Sequence, residues 1–349
     1  MIFASDNWAG AHPAISAALA AHADGYAPAY GSSDLDQAVN ARFSIVFESE
    51  VAVFFVATGT AANSLSIATA NRPGGVAFAH REAHMLVDEC GAPEYLTGGN
   101  RMFAVDGPLG RIDPAALERA IARFDPDFVH GGQPMAVSIT QATEIGTVYA
   151  LDQIDAISAI AKRHGLPLHM DGARFANALV ALGTTPAEMT WKRGVDLLSF
   201  GGTKNGCWCA EAIVLFDLAK ARELAFIRKR AAQLFSKSRF IAAQFDAYFR
   251  DDLWLDTAAH ANGMTARLAE AIGASRKARL GWEPEANELF AIMSTDVAEA
   301  LKGHGAVFYP WELPGGFSGP IDPDEKLYRF VTSFATREED IDRFAALIA

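Results

Sequence analysis

The stretch "LLSFGGTKNG", residues 197–206, places one lysine, Lys204, among glycines and small polar residues directly after an apolar run. A lysine in a surface loop usually serves solubility, but these small neighbours leave room for a ligand to approach the amine closely. The residues that follow, "CWCAEAIVLF", return to apolar sequence. We therefore expect Lys204 to follow a buried strand and to face a ligand.

Outward from this turn, residues 50–215 alternate short β-rich apolar runs with alanine-rich stretches of helical period. The apolar runs include "VAVFFV", "GGVAFAH", "DFVHGG", "AVSIT", "LPLHMDG", "VDLLSFGG" and "AEAIVLF". This alternation predicts an α/β domain built on a mainly parallel sheet. Since open sheets of this class bind ligands beyond the carboxyl ends of their strands, functional residues are expected there.

The C-terminal third of the chain has a different pattern. Residues 220–270 keep apolar residues at helical spacing with few breakers, which predicts long helices. Beyond residue 275, the runs "ELFAIMS", "AVFYPWE" and "LYRFVTSF" predict three further strands. We therefore expect a small α+β domain at the C-terminal end of the chain.

Composition and charge narrow the class of partner. Half of the 349 residues are hydrophobic and 21% are charged, as in folded globular proteins. Lys and Arg number 30 against 42 Asp and Glu, so the net charge of −12 disfavours nucleic acid and anionic membranes. These values favour a small-molecule ligand.

The cysteines and the N-terminus indicate the compartment. Cys90, Cys207 and Cys209 are too few and too unevenly spaced for a disulfide framework, which suits a reducing environment. The pair in "CWC" lacks a second Cys or His pair at ligand spacing, so we expect no metal site. The N-terminal "MIFASDNWAG" has no basic signal-peptide region, and no apolar run approaches the roughly 20 residues of a membrane span. These features predict a soluble, cytoplasmic protein.

The first signal of chemistry is "TGTAAN", Thr58–Asn63, which follows the run "VAVFFV" and begins a predicted helix. Amides of a glycine-containing turn at a helix N-terminus can bind a phosphate through free N–H groups and the helix dipole. The alternative is an ordinary N-cap in which Thr58 or Thr60 supplies the capping hydroxyl. The motif alone does not decide between these two interpretations.

The second signal is "LHMDGARF", residues 168–175, in which Asp171 ends a predicted strand and Arg174 follows three residues later. The dipeptide "DG" is common in turns without any function. A strand-end aspartate can instead hold a cationic ring nitrogen, while an arginine binds a carboxylate through two parallel hydrogen bonds.

The combination of these signals with Lys204 is more specific than any one of them. A phosphate-binding turn, a strand-end aspartate and a strand-end lysine, in this order, are what a pyridoxal 5′-phosphate (PLP) enzyme requires. The lysine binds the cofactor covalently and the aspartate keeps its pyridine nitrogen protonated. The sequence therefore predicts PLP as cofactor.

A fourth signal is "HREAHMLVDECGAPE", which contains His80, His84 and Glu89. An isolated histidine is more often structural than catalytic. Between the phosphate turn and Asp171, however, a histidine at the end of "GGVAFAH" or in the next turn can stack on a cofactor ring and act as a base near neutral pH.

With these motifs the chain resembles the low-specificity L-threonine aldolases, PLP-dependent enzymes of fold type I, the aspartate-aminotransferase-like fold. The resemblance runs through "ASDNWAGAHP", "YGSSD", "TGTAANSL", "AHMLVDECGAPE", "ITQATEIGTVY", "LHMDGARFANALVALG", "SFGGTKNG" and "LYRFVTSF". It implies an N-terminal arm (1–27) that contributes to the active site and a large PLP-binding domain (28–245) with a mainly parallel seven-stranded sheet flanked by helices. It also implies a small α+β C-terminal domain (246–349). It also implies a homotetramer, a dimer of dimers with active sites at subunit interfaces.

The resemblance also implies a role for individual residues. Lys204 matches the Schiff-base lysine, and His84 matches the catalytic histidine that stacks on the ring near the substrate hydroxyl. The expected cofactor-binding residues are Gly59, Thr60, His84, Glu89, Asp171, Arg174 and Lys204. The expected substrate-binding residues are Ser5, Tyr30, Gln141, Arg174 and Arg329, of which Ser5 and the two arginines would bind the carboxylate.

The implied reaction is reversible cleavage of the Cα–Cβ bond of L-threonine, L-allo-threonine or related substrates such as phenylserine, to glycine and an aldehyde. One departure concerns the base: many family members have a histidine after a threonine where "ITQAT" has Gln141, so His84 would act alone or with a water held by Gln141. The main alternative is a PLP-dependent β-eliminating lyase acting on aromatic amino acids. A nucleotide-binding protein is disfavoured because "TGTAAN" is not a G-x-G-x-x-G motif.

Overall fold

The computed structural model describes residues 1–125 and 127–349, which form eleven strands and fourteen α-helices. The strands are β1 (Ala52–Val56), β2 (Gly75–His80), β3 (Arg101–Val105), β4 (Gln133–Thr140), β5 (Leu168–Gly172), β6 (Leu197–Gly201), β7 (Glu211–Leu215), β8 (Ala278–Leu280), β9 (Glu288–Ser294), β10 (Tyr309–Trp311) and β11 (Glu325–Val331). The helices are α1 (Pro13–Ala21), α2 (Asp34–Val46), α3 (Gly59–Ala68), α4 (His84–Val87), α5 (Ala92–Leu96), α6 (Pro114–Ala122), α7 (Leu151–Arg163), α8 (Phe175–Leu182), α9 (Pro186–Met189), α10 (Ala221–Arg230), α11 (Arg239–Phe249), α12 (Leu253–Gly273), α13 (Thr295–Gly303) and α14 (Glu338–Ile348).

Strands β1 to β7 form one seven-stranded sheet in the order β1-β7-β6-β5-β4-β2-β3. Strands β2 to β6 run parallel to one another, and β7 is antiparallel to both β6 and β1. The mainly parallel seven-stranded sheet is therefore confirmed. Asp171 near the end of β5 lies opposite Thr140 of β4 and Ser199 of β6, so three strands end side by side.

The C-terminal part of the chain forms a four-stranded antiparallel sheet in the order β10-β11-β9-β8. The three predicted runs correspond to β9, β10 and β11. The sequence patterns missed β8, which has only three residues, and the edge strand β3. The run "DFVHGG" was wrongly taken as a strand: residues 127–132 lie outside any strand, and β4 begins at Gln133.

The core beside β6 is rich in aromatic side chains. The buried ring of Phe200 lies 5.3 Å from that of Phe43, 5.5 Å from Phe175 and 5.9 Å from Trp254, measured between ring centroids. Such rings bury large apolar areas and interlock at tilted or edge-on angles. This packing stabilises the end of β6 shortly before Lys204.

The helices link the two sheets without a break at the predicted domain limit. Helix α11 spans residue 245, and Phe249 packs in the same core as the seven-stranded sheet. Further along the chain, Leu268 in α12 packs with the small sheet, as does Phe3 from the N-terminal segment. The domain limits after residues 27 and 245 stay a prediction.

Candidate active site

A cavity of about 290 Å³ lies at the carboxyl ends of the parallel strands of the large sheet. It is lined by Asn7, Ala57, Thr58, Gly59, Thr60, Asn63, His84, Glu89, Asp171, Ala173, Thr203, Lys204 and Glu211. Six residues predicted to bind a cofactor thus meet in one place: Gly59, Thr60, His84, Glu89, Asp171 and Lys204. Because parallel strands end at one edge of a sheet, motifs far apart in sequence converge there.

The turn after β1 presents free backbone amides to this cavity. Thr58 is the N-cap of α3, and its hydroxyl accepts a hydrogen bond from the amide of Ala61 at 3.1 Å. The amide of Ala62 bonds to the carbonyl of Thr58, so the first-turn amides of Gly59 and Thr60 have no intrahelical acceptor. No atom lies within 4 Å of the position that a Cβ on Gly59 would occupy. The N-cap interpretation of "TGTAAN" is therefore confirmed. The turn also offers space and N–H donors to an anion, and phosphate binding there stays a prediction.

Asp171 is buried and hydrogen-bonded in one orientation. Its Oδ2 accepts from Asn63 Nδ2 at 2.8 Å, and its Oδ1 accepts from the amide of Ala173 at 3.0 Å. Burial raises the pKa of Asp171, and the nearby charges of Glu89 and Glu144 add to this effect. A carboxylate in this environment would be stabilised by a cation brought into the cavity.

Lys204 is held by a short 3₁₀ helix, Thr203–Asn205, that follows β6. The next side chain anchors this turn, because Asn205 Nδ2 donates to the hydroxyl of Tyr248 at 2.7 Å and to the carbonyl of Trp254 at 2.8 Å. Gly206 ends the turn at φ 109°, which favours glycine. The turn therefore holds its backbone firmly while the Lys204 side chain lines the cavity.

Glu211, at the start of β7, lies on the wall of the same cavity. It accepts a hydrogen bond from the amide of Thr203 at 3.3 Å. Burial raises the pKa of Glu211 to about 7. Near neutral pH this carboxyl can therefore either hold or release a proton beside Lys204.

His84 begins helix α4, directly after β2 and its turn. Its Nδ1 lies 2.9 Å from Oε1 of Glu89, which also accepts from Asn63 Nδ2 at 2.9 Å. The hydrogen bond to Glu89 raises the pKa of His84. With Nδ1 donating to Glu89, Nε2 of the neutral ring is free to accept a proton.

The two arginines predicted to bind a carboxylate differ in how many donors are already used. Arg174 is buried, and its Nε and Nη2 donate to Asp6 at 2.7 and 3.0 Å, while Nη1 lies 3.2 Å from Glu288. Arg329 packs its guanidinium on the ring of Trp311, 4.4 Å from the centroid. Its buried Nε has no hydrogen-bond partner among the described residues. Arg329 is therefore the guanidinium with donors left for a ligand.

All five predicted substrate-binding residues lie outside the cavity lining: Ser5, Tyr30, Gln141, Arg174 and Arg329. The hydroxyl of Ser5 accepts from the amide of Asn7, which itself lines the cavity. Tyr30 is exposed, and the amine of Lys229 lies 5.6 Å from its ring centroid. The roles of Ser5 and Tyr30 stay predictions.

The structure gives no support to the predicted substrate-binding role of Gln141. Its side chain is fully buried, with Nε2 donating to the carbonyl of Tyr149 at 3.0 Å and Oε1 accepting from the Tyr149 amide at 2.9 Å. Both polar atoms are thus used by one backbone segment. Gln141 braces the loop after β4 and does not hold a water at the base.

Sequence reasoning missed several residues of the site. These are Asn7, Asn63, Glu144, Glu211 and Glu288. Asn7 and Asn63 lie inside the motifs "ASDNWAGAHP" and "TGTAAN", so their polar side chains beside predicted site residues were a usable signal. Glu144 lies inside "ITQATEIGTVY" and had the same signal, whereas Glu211 and Glu288 had none, because each belongs to an apolar run that is typical of a core strand.

The donors and acceptors of the cavity fit PLP. The free amides of Gly59 and Thr60 suit a phosphate, and buried Asp171 suits a protonated ring nitrogen. Oε2 of Glu89 is buried without a hydrogen-bond partner among the described residues, which leaves an acceptor for a polar ligand group. The amine of Lys204 supplies the group that binds an aldehyde carbon.

Comparison with known proteins gives a consistent result. The sequence model of the family described as beta-eliminating lyase matches residues 3–295. The low specificity L-threonine aldolase of Pseudomonas aeruginosa is 42% identical over 315 residues, which cover 90% of each chain. The protein of the same name from another Pseudomonas strain is 40% identical over 345 residues, which cover 99% of this chain and 96% of that relative.

Solved structures share the whole architecture. A threonine aldolase from Leishmania major superposes with a TM-score of 0.91 at 28% identity, covering 99% of this chain and 98% of the other. The rice protein TDC, solved with PLP and tryptamine, superposes with a TM-score of 0.75 at 13% identity, covering 100% of this chain and 84% of the other. The second match shows only that the fold is one found with PLP bound. By sequence, the chain belongs to the low-specificity L-threonine aldolases within the beta-eliminating lyase family.

Proposed function

We propose that this chain is a PLP-dependent aldehyde-lyase that cleaves the Cα–Cβ bond of L-threonine, L-allo-threonine and related β-hydroxy-α-amino acids such as phenylserine. The products are glycine and an aldehyde, and the reaction is reversible. The observation that carries the proposal is the single cavity in which Lys204, Asp171 and His84 meet beside the free amides of the "TGTAAN" turn.

In this proposal the cavity residues hold PLP through its three polar regions. Gly59 and Thr60 bind the phosphate, Asp171 pairs with the ring nitrogen, and Lys204 binds the aldehyde carbon. When bound, PLP supplies a cationic ring that withdraws the electron pair released at Cα when the Cα–Cβ bond breaks. Asn63 holds Asp171 and Glu89 in place by donating a hydrogen bond to each.

The substrate carboxylate is proposed to bind Arg329. Its Nε is buried without a partner among the described residues, and a carboxylate can accept two parallel hydrogen bonds from a guanidinium. Trp311 holds that guanidinium by stacking beneath it. Arg174 supports the same region indirectly, since its Nε and Nη2 donate to Asp6 and its Nη1 lies 3.2 Å from Glu288.

The proposed base is Nε2 of His84. It removes the proton of the β-hydroxyl, the carbon–oxygen double bond of the aldehyde forms, and the Cα–Cβ bond breaks. Glu89 keeps the proton on Nδ1 and stabilises the imidazolium after proton transfer. Neutral Gln141 takes no part, because Tyr149 uses both ends of its amide.

We also propose a homotetramer located in the cytoplasm. Several large apolar side chains are more than half exposed in the single chain: Tyr26, Tyr30, Tyr95, Trp208 and Phe226. Exposed aromatic side chains are enriched at protein interfaces.

The proposed location agrees with the cysteines. Cys90, Cys207 and Cys209 are free thiols, which suits a reducing compartment. No helix of the described chain combines the length and apolarity needed to cross a membrane. Sedimentation equilibrium at several concentrations would test the assembly.

The proposal is tested by incubating the purified protein with L-threonine and, separately, with L-phenylserine. We expect acetaldehyde or benzaldehyde in equal amount to glycine. Ammonia and a keto acid would instead identify a β-eliminating lyase that uses the same lysine. D-Threonine serves as the matched control and should give no aldehyde.

A further inference from the structure

Glu288, the first residue of β9, places a buried carboxylate between the two arginines of the site. Its side chain has no exposed surface, and Oε2 lies 3.2 Å from Nη1 of Arg174. Its Oε1 lies 3.6 Å from Nη1 of Arg329. The mechanism above does not use this group.

Neither oxygen of Glu288 has a hydrogen-bond partner among the described residues, although both are buried. Hydrogen bonds normally satisfy a buried carboxylate, and a missing one calls for an explanation. By contrast, Asp6 on the same guanidinium of Arg174 forms two bonds and accepts a third from Asn287 at 3.1 Å. Glu288 is therefore the loosely held carboxylate of the group.

The charges around Glu288 do not balance once a substrate arrives. The charged groups that face it are Arg174, Arg329, Glu144 and Asp6. With Glu288 ionised, three carboxylates surround the two guanidinium groups, and Lys204 is a third cation that acts on Asp6 and Glu144. A substrate carboxylate on Arg329 would be a fourth anion in a buried space, where like charges repel strongly.

We propose that Glu288 is a positioning residue that occupies the place of the substrate carboxylate between the two arginines and takes up a proton when an amino acid binds. This inference rests on the proposed function, because it requires an amino acid whose carboxylate binds Arg329. Glu288 keeps the guanidinium groups oriented while the site is empty. Protonation then removes its charge, so the substrate carboxylate meets two arginines and two remaining anions.

The titration properties of these groups agree with this assignment. Burial raises the pKa of Glu288 despite the opposing effect of Arg174 and Arg329. Burial also favours the neutral form of Glu144, but Lys204 and Arg174 outweigh it and lower the pKa of that group. Of the three carboxyl groups around the two arginines, Glu288 is the one with a raised pKa, whereas the pKa values of Asp6 and Glu144 are lowered. At pH values above the pKa of Glu288, binding of an amino acid should therefore be accompanied by uptake of a proton.

The test is calorimetric titration of the PLP-loaded protein with glycine in two buffers of different ionisation enthalpy, which gives the number of protons taken up. Glycinamide is the matched ligand, because it keeps the amine and lacks the carboxylate. The proton uptake of each ligand is corrected for the ionisation of its own amine. Binding of glycine should then take up as much as about one proton more than binding of glycinamide, and this difference should grow as the pH rises above the pKa of Glu288.

Glu288→Gln keeps the shape of the side chain and removes its charge. In this variant the proton difference between the two ligands should disappear. Above the pKa of Glu288, the glycine affinity of the wild type should fall as the pH rises, and that of the variant should not. The ratio of the variant affinity to the wild-type affinity should therefore grow by up to about tenfold per pH unit. Glu299→Gln, at a side chain that is 72% exposed, is the matched control and should behave as the wild type.

Equal proton uptake for glycine and glycinamide in the wild type would overturn this inference, while aldehyde release from L-threonine would still support the proposed function. A proton difference that persists in Glu288→Gln would also overturn it. If Glu288→Gln does not fold, the comparison of the two ligands in the wild type decides alone. Failure of glycine to bind would overturn both the inference and the proposed function.

Discussion

Nδ1 of His84 lies 2.9 Å from Oε1 of Glu89, and the pair joins an imidazole that is 31% exposed to a carboxylate with no exposed surface. Asn63 donates to the same oxygen, so Glu89 cannot rotate without losing two hydrogen bonds. The pair therefore fixes the ring and its tautomer, and it leaves Nε2 as the only ring nitrogen available to a substrate.

Replacing Glu89 with glutamine should shift the pH dependence of the reaction. Glu89 raises the pKa of His84, and a base must be neutral, so kcat of the wild type falls as the pH drops through this raised pKa. In Glu89→Gln the pKa of His84 falls, and the acidic limb of the kcat profile should move to lower pH. The maximal kcat should decrease by roughly tenfold or more.

The pH profile of kcat for L-threonine checks this prediction. The control is Asp88→Asn, which removes a charge at the exposed neighbouring position and should leave the limb in place. An unchanged acidic limb in Glu89→Gln would show that His84 is not the titrating base.

Lys204→Ala should abolish turnover, because the cavity then lacks the amine that binds the cofactor. The visible absorbance of bound PLP should disappear with it. Lys277→Ala, at an exposed position far along the sequence, should retain both properties. Normal aldehyde release by Lys204→Ala would show that Lys204 is not the lysine that binds the cofactor.

Asn63→Ala should weaken PLP binding. Nδ2 of Asn63 donates to the buried carboxylates of Asp171 and Glu89, and hydrogen bonds to charged groups contribute about 1.5–3 kcal/mol each. We expect the Kd for PLP to rise at least about tenfold, measured by fluorescence titration. Asn63→Asp adds a third carboxylate and should weaken binding further. The reverse order of the two variants would contradict the proposed role of Asn63.

Arg329→Ala should raise KM for amino acids by roughly 10- to 100-fold while PLP stays bound, since a charged hydrogen-bond donor to the carboxylate is lost. Steady-state kinetics with L-threonine and the visible spectrum measure the two effects. Arg279→Ala removes a guanidinium from the outer face of the small sheet, where it pairs with Glu325, and should change neither. Loss of PLP from Arg329→Ala would mean that the carboxylate assignment is wrong.

Phe200→Ala should lower the free energy of unfolding by about 3–5 kcal/mol, because it leaves a cavity where the rings of Phe43, Phe175 and Trp254 meet. Phe200→Leu fills part of that space and should cost less. Urea unfolding followed by tryptophan fluorescence measures both variants. A loss below about 1 kcal/mol for Phe200→Ala would show that this core can close around the gap.

Local sequence was sufficient for the fold class and for the residues at the strand ends. The alternation of apolar runs and helical stretches predicted the parallel sheet, and Gly59, Asp171 and Lys204 each follow or end a predicted strand. Parallel strands bring their carboxyl ends to one edge, so a rule about strand ends locates a site without coordinates. Short or edge strands such as β8 and β3 were not predicted, because a few residues carry too little periodicity.

The amino-acid sequence by itself determined the α/β class, most of the strands of the large sheet and the motifs that meet at one edge of that sheet. Only the tertiary structure decided which partner each polar side chain has. Asn63 bonds to Asp171 across 108 positions, and Arg174 bonds to Asp6 across 168. Glu288 reaches both arginines from the second sheet. Such pairs depend on how separate elements pack, and no periodicity within a single stretch of sequence encodes that packing.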